Sequence, residues 1–299
     1  MGNVIRLLAC AKINLTLEVT GLRGDGYHLL RGVMQSVSLC DRVTVETRPA
    51  DDGISVTLSG PFGDGLSDGA DNTAHKAARV FFCDCGITGG ARIHIEKHIP
   101  LQAGLGGGSA DAAAVLHALN ELYDRPYDTE SLTQLGAAVG ADVPFCTAGG
   151  TCLVQGVGER LTFLPPMPDC FIVLAKDAEG ASTPQVYRLY DTMGLPEGPG
   201  PDSDALLSAL LKKDFAGIAA GLCNALEPAA IRLCPSIPDI KALLVSNGAA
   251  GALTCGSGAA VFGLFASRES AQRAYDAAVS RGLFAALCRP APAGVLQAQ

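Results

Sequence analysis

Hydrophobic and polar residues alternate along much of the first hundred positions. A period of two is typical of half-buried strands, because successive side chains point to opposite faces. The alternation predicts strands over residues 4–19, 33–39, 41–45, 54–58 and 92–99. Glycines and an aspartate interrupt it over residues 22–28, which predicts a turn that carries Tyr27 and His28 outward.

Hydrophobic residues recur at helical spacing in most of the remaining chain. Asn72 is suited to start the first helix as its N-cap, and Gly86 is suited to end it. The predicted helices cover residues 72–86, 110–123, 129–139, 205–211, 214–226, 239–245 and 268–280, with one more that begins at Ser182-Thr183-Pro184. The remaining strands are predicted at residues 149–157, 170–175, 250–265 and 283–289.

The order of these elements predicts the fold class. Strands and helices mix without strict alternation, which is typical of the α+β class, and 299 residues suit two domains. The proline-rich segment 164–168 is a candidate hinge, so we predict domains at residues 1–163 and 164–299. A loose Gly/Pro/Asp segment over 194–204 is predicted to be a loop.

Composition and charge exclude several classes of protein. The net charge of -8, with acidic and basic residues scattered, gives no basic face for a nucleic acid. The apolar runs fall short of the ~20 residues that span a bilayer, and the N-terminus has no signal-peptide pattern, so we expect a cytoplasmic protein without membrane contact. Eleven cysteines in mostly apolar surroundings, with no CxxC pair, indicate reduced core thiols.

The strongest candidate for chemistry is the loop Gly104-Leu105-Gly106-Gly107-Gly108-Ser109, between a predicted strand and a predicted helix. Glycines let backbone amides approach an anion, and a helix N-terminus adds unpaired donors and a favourable dipole. The chain has no Gly-Lys dipeptide, and Ser109 stands where a dinucleotide loop needs its third glycine. The spacing therefore indicates a phosphate loop of neither common type, with a plain turn as the alternative.

Two charged residues are candidates for catalysis. Lys12 lies on an apolar strand, where we assign it to the face opposite Asn14; a surface lysine is the alternative. Asp142 is fixed between Gly140-Ala141 and Val143-Pro144, where a turn or helix-capping aspartate is the alternative.

Two further features stay outside the candidate site. His94 and His98 lie ~13 Å apart if both are on one strand, which is too far to share a metal ion, so we interpret them as ordinary strand residues. The segment Gly256-Ser257-Gly258 is either a second phosphate-facing loop or a close approach between a strand and its neighbour.

Four segments resemble the GHMP family of small-molecule kinases: AKINLTLEVTGLRGDGYH, PLQAGLGGGSADAA, GADVPF and STPQVY. The resemblance implies an N-terminal ribosomal-protein-S5-like α/β domain and a C-terminal ferredoxin-like α+β domain. Within the family, the four segments are similar to kinases that use ATP and Mg²⁺ to phosphorylate the 2-hydroxyl of a cytidine diphosphate-linked sugar alcohol, in the non-mevalonate route to isoprenoids. That small molecule is the expected partner.

The same resemblance implies a role for each matching residue. Asp142 would accept the proton of the attacking hydroxyl, and Lys12 would stand beside it. ATP would lie along Lys97, Pro100, Gly104, Leu105, Gly106, Gly107, Gly108, Ser109 and Ala110, with Ser109 reaching the metal. Tyr27 and Tyr187 would stack on the cytosine, His28 would bond its edge, and Asn14 and Thr183 would contact the polar remainder.

Three other interpretations stay open. A GHMP kinase for mevalonate-type, homoserine or sugar alcohols would not need the two stacking tyrosines. A non-catalytic binding protein could keep the fold, although an intact Lys12, Asp142 and glycine loop argue against it. A dehydrogenase is disfavoured by the failed dinucleotide spacing. We expect a monomer or a weak homodimer.

Overall fold

The computed structural model describes residues 3–194 and 202–298. Its strands are Val4–Asn14 (β1), Thr16–Leu22 (β2), His28–Arg48 (β3), Ile54–Ser59 (β4), Gly90–Glu96 (β5), Thr151–Gly156 (β6), Arg160–Phe163 (β7), Phe171–Lys176 (β8), Cys223–Asn224 (β9), Gly251–Thr254 (β10), Val261–Phe265 (β11), Phe284–Cys288 (β12) and Val295–Gln297 (β13). Its helices are Thr73–Cys85 (α1), Gly107–Leu122 (α2), Thr129–Ala137 (α3), Val143–Ala148 (α4), Thr183–Met193 (α5), Ser203–Leu211 (α6), Phe215–Ala220 (α7), Glu227–Leu233 (α8), Ile237–Ser246 (α9) and Arg268–Ser280 (α10).

The larger sheet is organised around β3, which is 21 residues long. Different parts of β3 pair antiparallel with β1, β2, β5 and β6. Strands β4 and β9 add parallel to β5 and β2, while β7 and β13 add antiparallel to β6 and β1. Over the described residues this gives a nine-stranded sheet, and helix α2 packs on β1 and β3.

The second half of β1 is buried on both of its faces. Ala11 and Ile13 lie in the apolar core, whereas Lys12 and Asn14 line a cleft on the other side. A bulge in the pairing with β3 falls between Cys10 and Lys12, and such irregularities re-aim side chains. The strand therefore supplies core on one face and chemistry on the other.

The smaller sheet contains β10, β11, β8 and β12 in that order, all antiparallel. Helix α9 packs on β11, and helix α10 packs on β8 and β12. A separate cluster of buried apolar side chains, which includes Val173, Val261 and Ala274, fills the space between sheet and helices. This arrangement confirms the predicted α+β class.

The sequence placed most elements correctly and some wrongly. Asn72 does cap α1, where its Oδ1 accepts from the amide of Ala74 at 2.8 Å, and Gly86 ends the helix with φ 65°. The strands predicted at 33–39 and 41–45 are one strand, β3. The helix predicted over 214–226 is wrong beyond Ala220, because residues 223–224 pair with β2.

Two other predictions also need correction. The strand predicted over 250–265 is two antiparallel strands, β10 and β11, joined by the loop that contains Gly256-Ser257-Gly258. His98 follows β5 and is not a strand residue. Part of the loop predicted over 194–204, residues 195–201, lies outside the described residues.

The proline-rich segment 164–168 connects the two sheets as irregular chain. Strands β9 and β13 follow that segment in sequence, yet both belong to the larger sheet. The domain boundary at 163/164 therefore stays a prediction. Among the described residues, no helix is both long enough and apolar enough to cross a membrane.

Candidate active site

A cleft of about 770 Å³ lies between the two halves of the chain. Almost every residue named from the sequence lines it. Those residues are Lys12, Asn14, Tyr27, His28, Lys97, Pro100, Gly104, Leu105, Gly106, Gly107, Gly108, Ser109, Asp142, Thr183 and Tyr187. The fold thus brings together segments that are more than 170 positions apart in sequence.

The glycine loop ends at the N-terminus of α2. Gly106 adopts the left-handed conformation with φ 71°, and α2 begins at Gly107. The first amides of a helix have no partner within it, so those of Gly107, Gly108 and Ser109 are available to an anion. The amide of Ala110 already donates to the Gly106 carbonyl at 2.8 Å, and Ala110 does not line the cleft. The structure therefore does not place Ala110 with the other predicted ATP contacts.

A second glycine loop, residues 255–260, supports the first. The amides of Ala259 and Ala260 donate to the carbonyls of Gln102 and Ala103 at 3.2 and 3.1 Å. At Gly104, where φ is 75°, a Cβ atom would lie 1.9 Å from the Cys255 carbonyl oxygen, so only glycine permits this approach. The segment 256–258 is thus part of a tight contact, and Gly256 and Ser257 also line the cleft.

Asn224 holds the second glycine loop in place. Its Nδ2 donates to the carbonyls of Thr254 and Gly256 at 3.0 and 2.7 Å, and its Oδ1 accepts from the amide of Leu226 at 2.9 Å. The side chain is buried, so these bonds have little competition from water. Sequence reasoning missed this residue.

Lys12 and Asp142 face each other across the cleft. The Lys12 Nζ is 3.5 Å from the Asp142 Oδ2 and donates to the Asn14 Oδ1 at 2.8 Å. The prediction of opposite faces for Lys12 and Asn14 is wrong, because residues two apart on a strand share a face. Lys12 is 4% exposed, which rules out the surface-lysine alternative.

Asp142 sits directly before α4, at the position of a capping residue. Its side chain makes no capping hydrogen bond, and the proline at the second helical position leaves fewer amides there to cap. The carboxylate is 35% exposed toward the cleft. Apart from its ion pair with Lys12, this carboxylate is therefore available to a ligand in the cleft.

Beneath the phosphate loop lies a buried cluster that we call the charge triad, made of Asp41, Lys97 and Asp111. Lys97 Nζ donates to Asp41 and also to the Oδ2 of Asp111 at 2.6 Å. Asp41 Oδ1 further accepts from the amides of His98 and Ile99 at 2.5 and 2.8 Å. The triad therefore ties β3, the end of β5 and the first turns of α2 together. The Lys97 side chain is 2% exposed and committed to two carboxylates.

Burial and charge together set the protonation of the triad. Burial lowers the pKa of Lys97, but Asp111 and Asp41 outweigh it, and the net shift is upward. Burial raises the pKa of Asp111 to about 8, with Lys97 opposing and Asp41 reinforcing the rise. Asp111 Oδ1 has no hydrogen-bond partner among the described residues. One ammonium cannot balance two buried carboxylates, so Asp111 is the group that tends to hold a proton.

The opposite end of the cleft is aromatic and more exposed. Tyr27 is 59% exposed. The His28 ring stacks on Tyr187 with centroids 4.6 Å apart, and its Nε2 lies 2.7 Å from the Asp191 Oδ1. Thr183 hydrogen-bonds Ser257 at 2.9 Å, which joins α5 to the second glycine loop.

The described residues contain no group of three or more His, Cys, Asp or Glu side chains placed to hold a metal ion. Mg²⁺ at nucleotide sites takes few protein ligands and is completed by phosphate oxygens and water. The Ser109 hydroxyl, on the cleft at the start of α2, fits that requirement.

Two family models match the chain. Residues 72–150 match the GHMP kinases N terminal domain, and residues 206–282 match the GHMP kinases C terminal domain. These stretches cover just over half of the chain. The chain therefore belongs to the GHMP kinase family, whose members are ATP-dependent phosphotransferases, and the resemblance seen in the sequence is confirmed.

Two relatives are similar to this chain over most of its length. The chain is 46% identical over 271 residues to 4-diphosphocytidyl-2-C-methyl-D-erythritol kinase of Pelotomaculum thermopropionicum, covering 90% of this chain and 92% of that protein. A crystal structure of 4-(cytidine 5'-diphospho)-2C-methyl-D-erythritol kinase aligns with a TM-score of 0.76 at 36% identity, over 96% of this chain and 100% of that one.

A homoserine kinase from Cytophaga hutchinsonii has a similar fold, with a TM-score of 0.78 at 22% identity over 99% of this chain and 97% of that one. The two TM-scores are nearly equal, so backbone likeness alone does not separate substrates within this family. Sequence identity to this chain does differ between the two relatives, at 36% and 22%.

Proposed function

We propose that this protein transfers the γ-phosphoryl group of ATP to the 2-hydroxyl of 4-diphosphocytidyl-2-C-methyl-D-erythritol, a step of the non-mevalonate (MEP) isoprenoid pathway. One observation carries the proposal: an ammonium and a carboxylate 3.5 Å apart share a cleft with a phosphate loop and a cluster of aromatic rings. This arrangement supports a reaction that needs a phosphate donor, a hydroxyl acceptor and a base.

Asp142 is the general base in this proposal. As the substrate oxygen bonds to the γ-phosphorus, its proton passes to the Asp142 carboxylate, and ADP leaves with the electrons of the broken P–O bond. The proton then returns to water. Lys12, held by Asn14 at 2.8 Å, keeps a positive charge beside the oxygen as that oxygen gains negative charge.

The phosphates of ATP would lie on the amides of Gly107, Gly108 and Ser109. Phosphoryl transfer depends mostly on positioning and on charge stabilisation, which a fixed loop and a helix N-terminus provide. Mg²⁺ would enter with ATP and neutralise phosphate charge, with the Ser109 hydroxyl as its protein ligand. Lys97 acts from behind the loop through the charge triad, since its ammonium is 2% exposed.

The cytosine would bind at the aromatic end of the cleft, against Tyr27 and Tyr187 with His28 at its edge. A nucleobase stacked on an aromatic side chain contributes ~1–3 kcal/mol. Asn14 and Thr183, which also line the cleft, would contact the polar remainder of the substrate.

The cellular setting is also part of the proposal. All eleven cysteines are free thiols in the structure, and most are buried, which suits a reducing cytoplasm. We propose a monomer or weak homodimer whose partner is the small-molecule substrate, without nucleic acid or membrane.

ADP production tests the proposal directly. Purified protein with ATP and Mg²⁺ is offered diphosphocytidyl-methylerythritol, mevalonate and homoserine in parallel. We expect turnover only with the cytidylated alcohol. Turnover with another alcohol would replace the substrate, and no turnover with any would favour a binding protein.

The variant Asp142→Asn tests the mechanism. We expect kcat to fall roughly 10²–10⁴-fold with little change in KM for ATP, because the general base acts only as the hydroxyl loses its proton. Asp25→Asn is the matched control, since Asp25 also lines the cleft but pairs with Arg23. Unaltered turnover in Asp142→Asn would remove this residue from the mechanism.

A further inference from the structure

His28 is held by two residues of α5. Tyr187 and Asp191 are four positions apart, so they lie on one face of the helix, one turn from each other. Tyr187 stacks on the imidazole at 4.6 Å, and Asp191 Oδ1 bonds its Nε2 at 2.7 Å. The His28 side chain is 11% exposed and the Asp191 side chain 50% exposed.

The helix that carries Tyr187 and Asp191 is itself held in place at its N-terminus. At its start, the Gln185 Oε1 accepts from the amide and the hydroxyl of Ser182 at 3.3 and 2.8 Å, and Pro184 occupies its first turn. Thr183 is bonded to Ser257 of the second glycine loop. Asp191 is therefore presented to His28 by a helix whose N-terminus is anchored at the cleft.

The bond to Asp191 also determines which imidazole nitrogen accepts. A carboxylate can only accept a hydrogen bond, so Nε2 must carry the hydrogen, and a neutral ring then has its lone pair on Nδ1. Cytosine presents an amino donor at C4, whereas uracil has a carbonyl acceptor there. A ring fixed with Nδ1 as acceptor matches the first base and not the second.

We propose that Asp191 is a positioning and specificity-determining residue, which holds His28 with Nδ1 as an acceptor and so favours a nucleobase that bears an amino donor. This inference rests on the proposed function, since it assumes that a cytidylated substrate binds at the aromatic end of the cleft. Asp191 acts through His28 and does not need to touch the substrate.

Steady-state kinetics of Asp191→Ala, with the cytidylated alcohol and its uridine analogue, test this directly. We expect KM for the cytidylated substrate to rise roughly tenfold, as for a lost charge-assisted hydrogen bond, and the cytidine-over-uridine ratio of kcat/KM to fall by a similar factor. KM for ATP and kcat should stay within about twofold of wild type, because the phosphate loop is unchanged. The Asp191→Asn variant keeps an acceptor oxygen, so its KM and its base preference should lie between those of the wild type and those of Asp191→Ala.

Asp204→Ala is the matched control. Asp204 also joins the second half of the chain to β3, through Arg31, but it does not line the cleft. If Asp204→Ala raised KM for the cytidylated substrate equally, the loss of any ion pair between the second half of the chain and β3 would have this effect, and the inference would fail. An unchanged KM and base preference in Asp191→Ala would overturn it as well.

A spectroscopic measurement separates this inference from the proposed function. Nitrogen-15 chemical shifts of the His28 ring in the free protein should report hydrogen on Nε2 in the wild type and a mixture of tautomers in Asp191→Ala. The same tautomer ratio in both proteins would refute the inference even if the enzyme turns over its substrate. A wild type inactive on the cytidylated alcohol would instead remove the proposed function.

Discussion

The two ends of the cleft are held in different ways. The phosphate end rests on the charge triad, in which all three side chains are at most 6% exposed, and on backbone bonds between two glycine loops. The aromatic end has Tyr27 59% exposed and a histidine fixed by a carboxylate that is half exposed. One end is built into the core, and the other is assembled at the surface.

This difference indicates which parts of the cleft tolerate substitution and which do not. Buried charges and close backbone contacts tolerate little change, because an unpaired charge in the interior costs several kcal/mol. Partly exposed contacts cost less to alter, since water replaces what is lost. Under the proposed function, phosphate binding is therefore tied to the stability of the fold, whereas substrate choice would be alterable at α5 and Tyr27 without unfolding the protein.

Lys97→Met should have the largest effect on stability. Removing the cation leaves Asp41 and Asp111 facing each other in the core, and breaking a buried ion pair from one side costs about 3–5 kcal/mol. Denaturant unfolding monitored by circular dichroism measures the loss. We also expect a higher KM for ATP in protein that still folds, because the triad holds the start of α2.

Lys176→Met is the matched control for that prediction. Lys176 is another buried lysine, but its Nζ donates to the backbone carbonyls of Asp177, Ala178 and Glu179 and, within the described part of the chain, to no carboxylate. Its loss should cost clearly less, about 1–2 kcal/mol, since no buried charge is left without a partner. Equal losses in the two variants would contradict the special role given to the triad.

The sequence held a partial signal for the charge triad. Asp41 shares the inward phase of its strand with Val43 and Val45, and Lys97 continues the inward phase of Ile93 and Ile95. A charge in the buried phase of a strand needs a partner, so a buried ion pair could have been predicted. The identity of that partner could not, because Asp41 and Lys97 are 56 positions apart and only the pairing of β3 with β5 brings them together.

The candidate site shows the same limit. The glycine loop, Lys12 and Asp142 could be found because each stands out locally, by composition or by a charge in apolar company. Asp191 and Asn224 could not, since an exposed acid on an amphipathic helix and an asparagine near a predicted helix end are ordinary. The strand at 223–224 was missed for a related reason: its pairing with β2 overrides a local helical pattern.

At the aromatic end, Tyr27→Ala should have an intermediate effect that is confined to the substrate. Loss of one stacking surface should raise KM for the cytidylated alcohol roughly 5–100-fold, while the melting temperature stays nearly unchanged because the ring is mostly exposed. Phe163→Ala removes a similarly exposed ring outside the cleft and should change neither quantity. A large loss of stability in Tyr27→Ala would erase the contrast between the two ends.

The smallest effect concerns the pH dependence of stability at the phosphate end. Burial raises the pKa of Asp111 to about 8, whereas the unfolded carboxyl has a pKa of about 4, so between these values the folded protein binds a proton that the unfolded chain has lost. Stability must then fall as pH rises through this window.

Asp111→Asn removes the titration and should flatten the fall of melting temperature between about pH 6 and 8, by roughly 2–4 °C per pH unit. Asp52→Asn, at an exposed acid, should keep the wild-type slope. The same slope in Asp111→Asn would show that Asp111 is ionised throughout and that the triad carries a net negative charge beneath the phosphate loop.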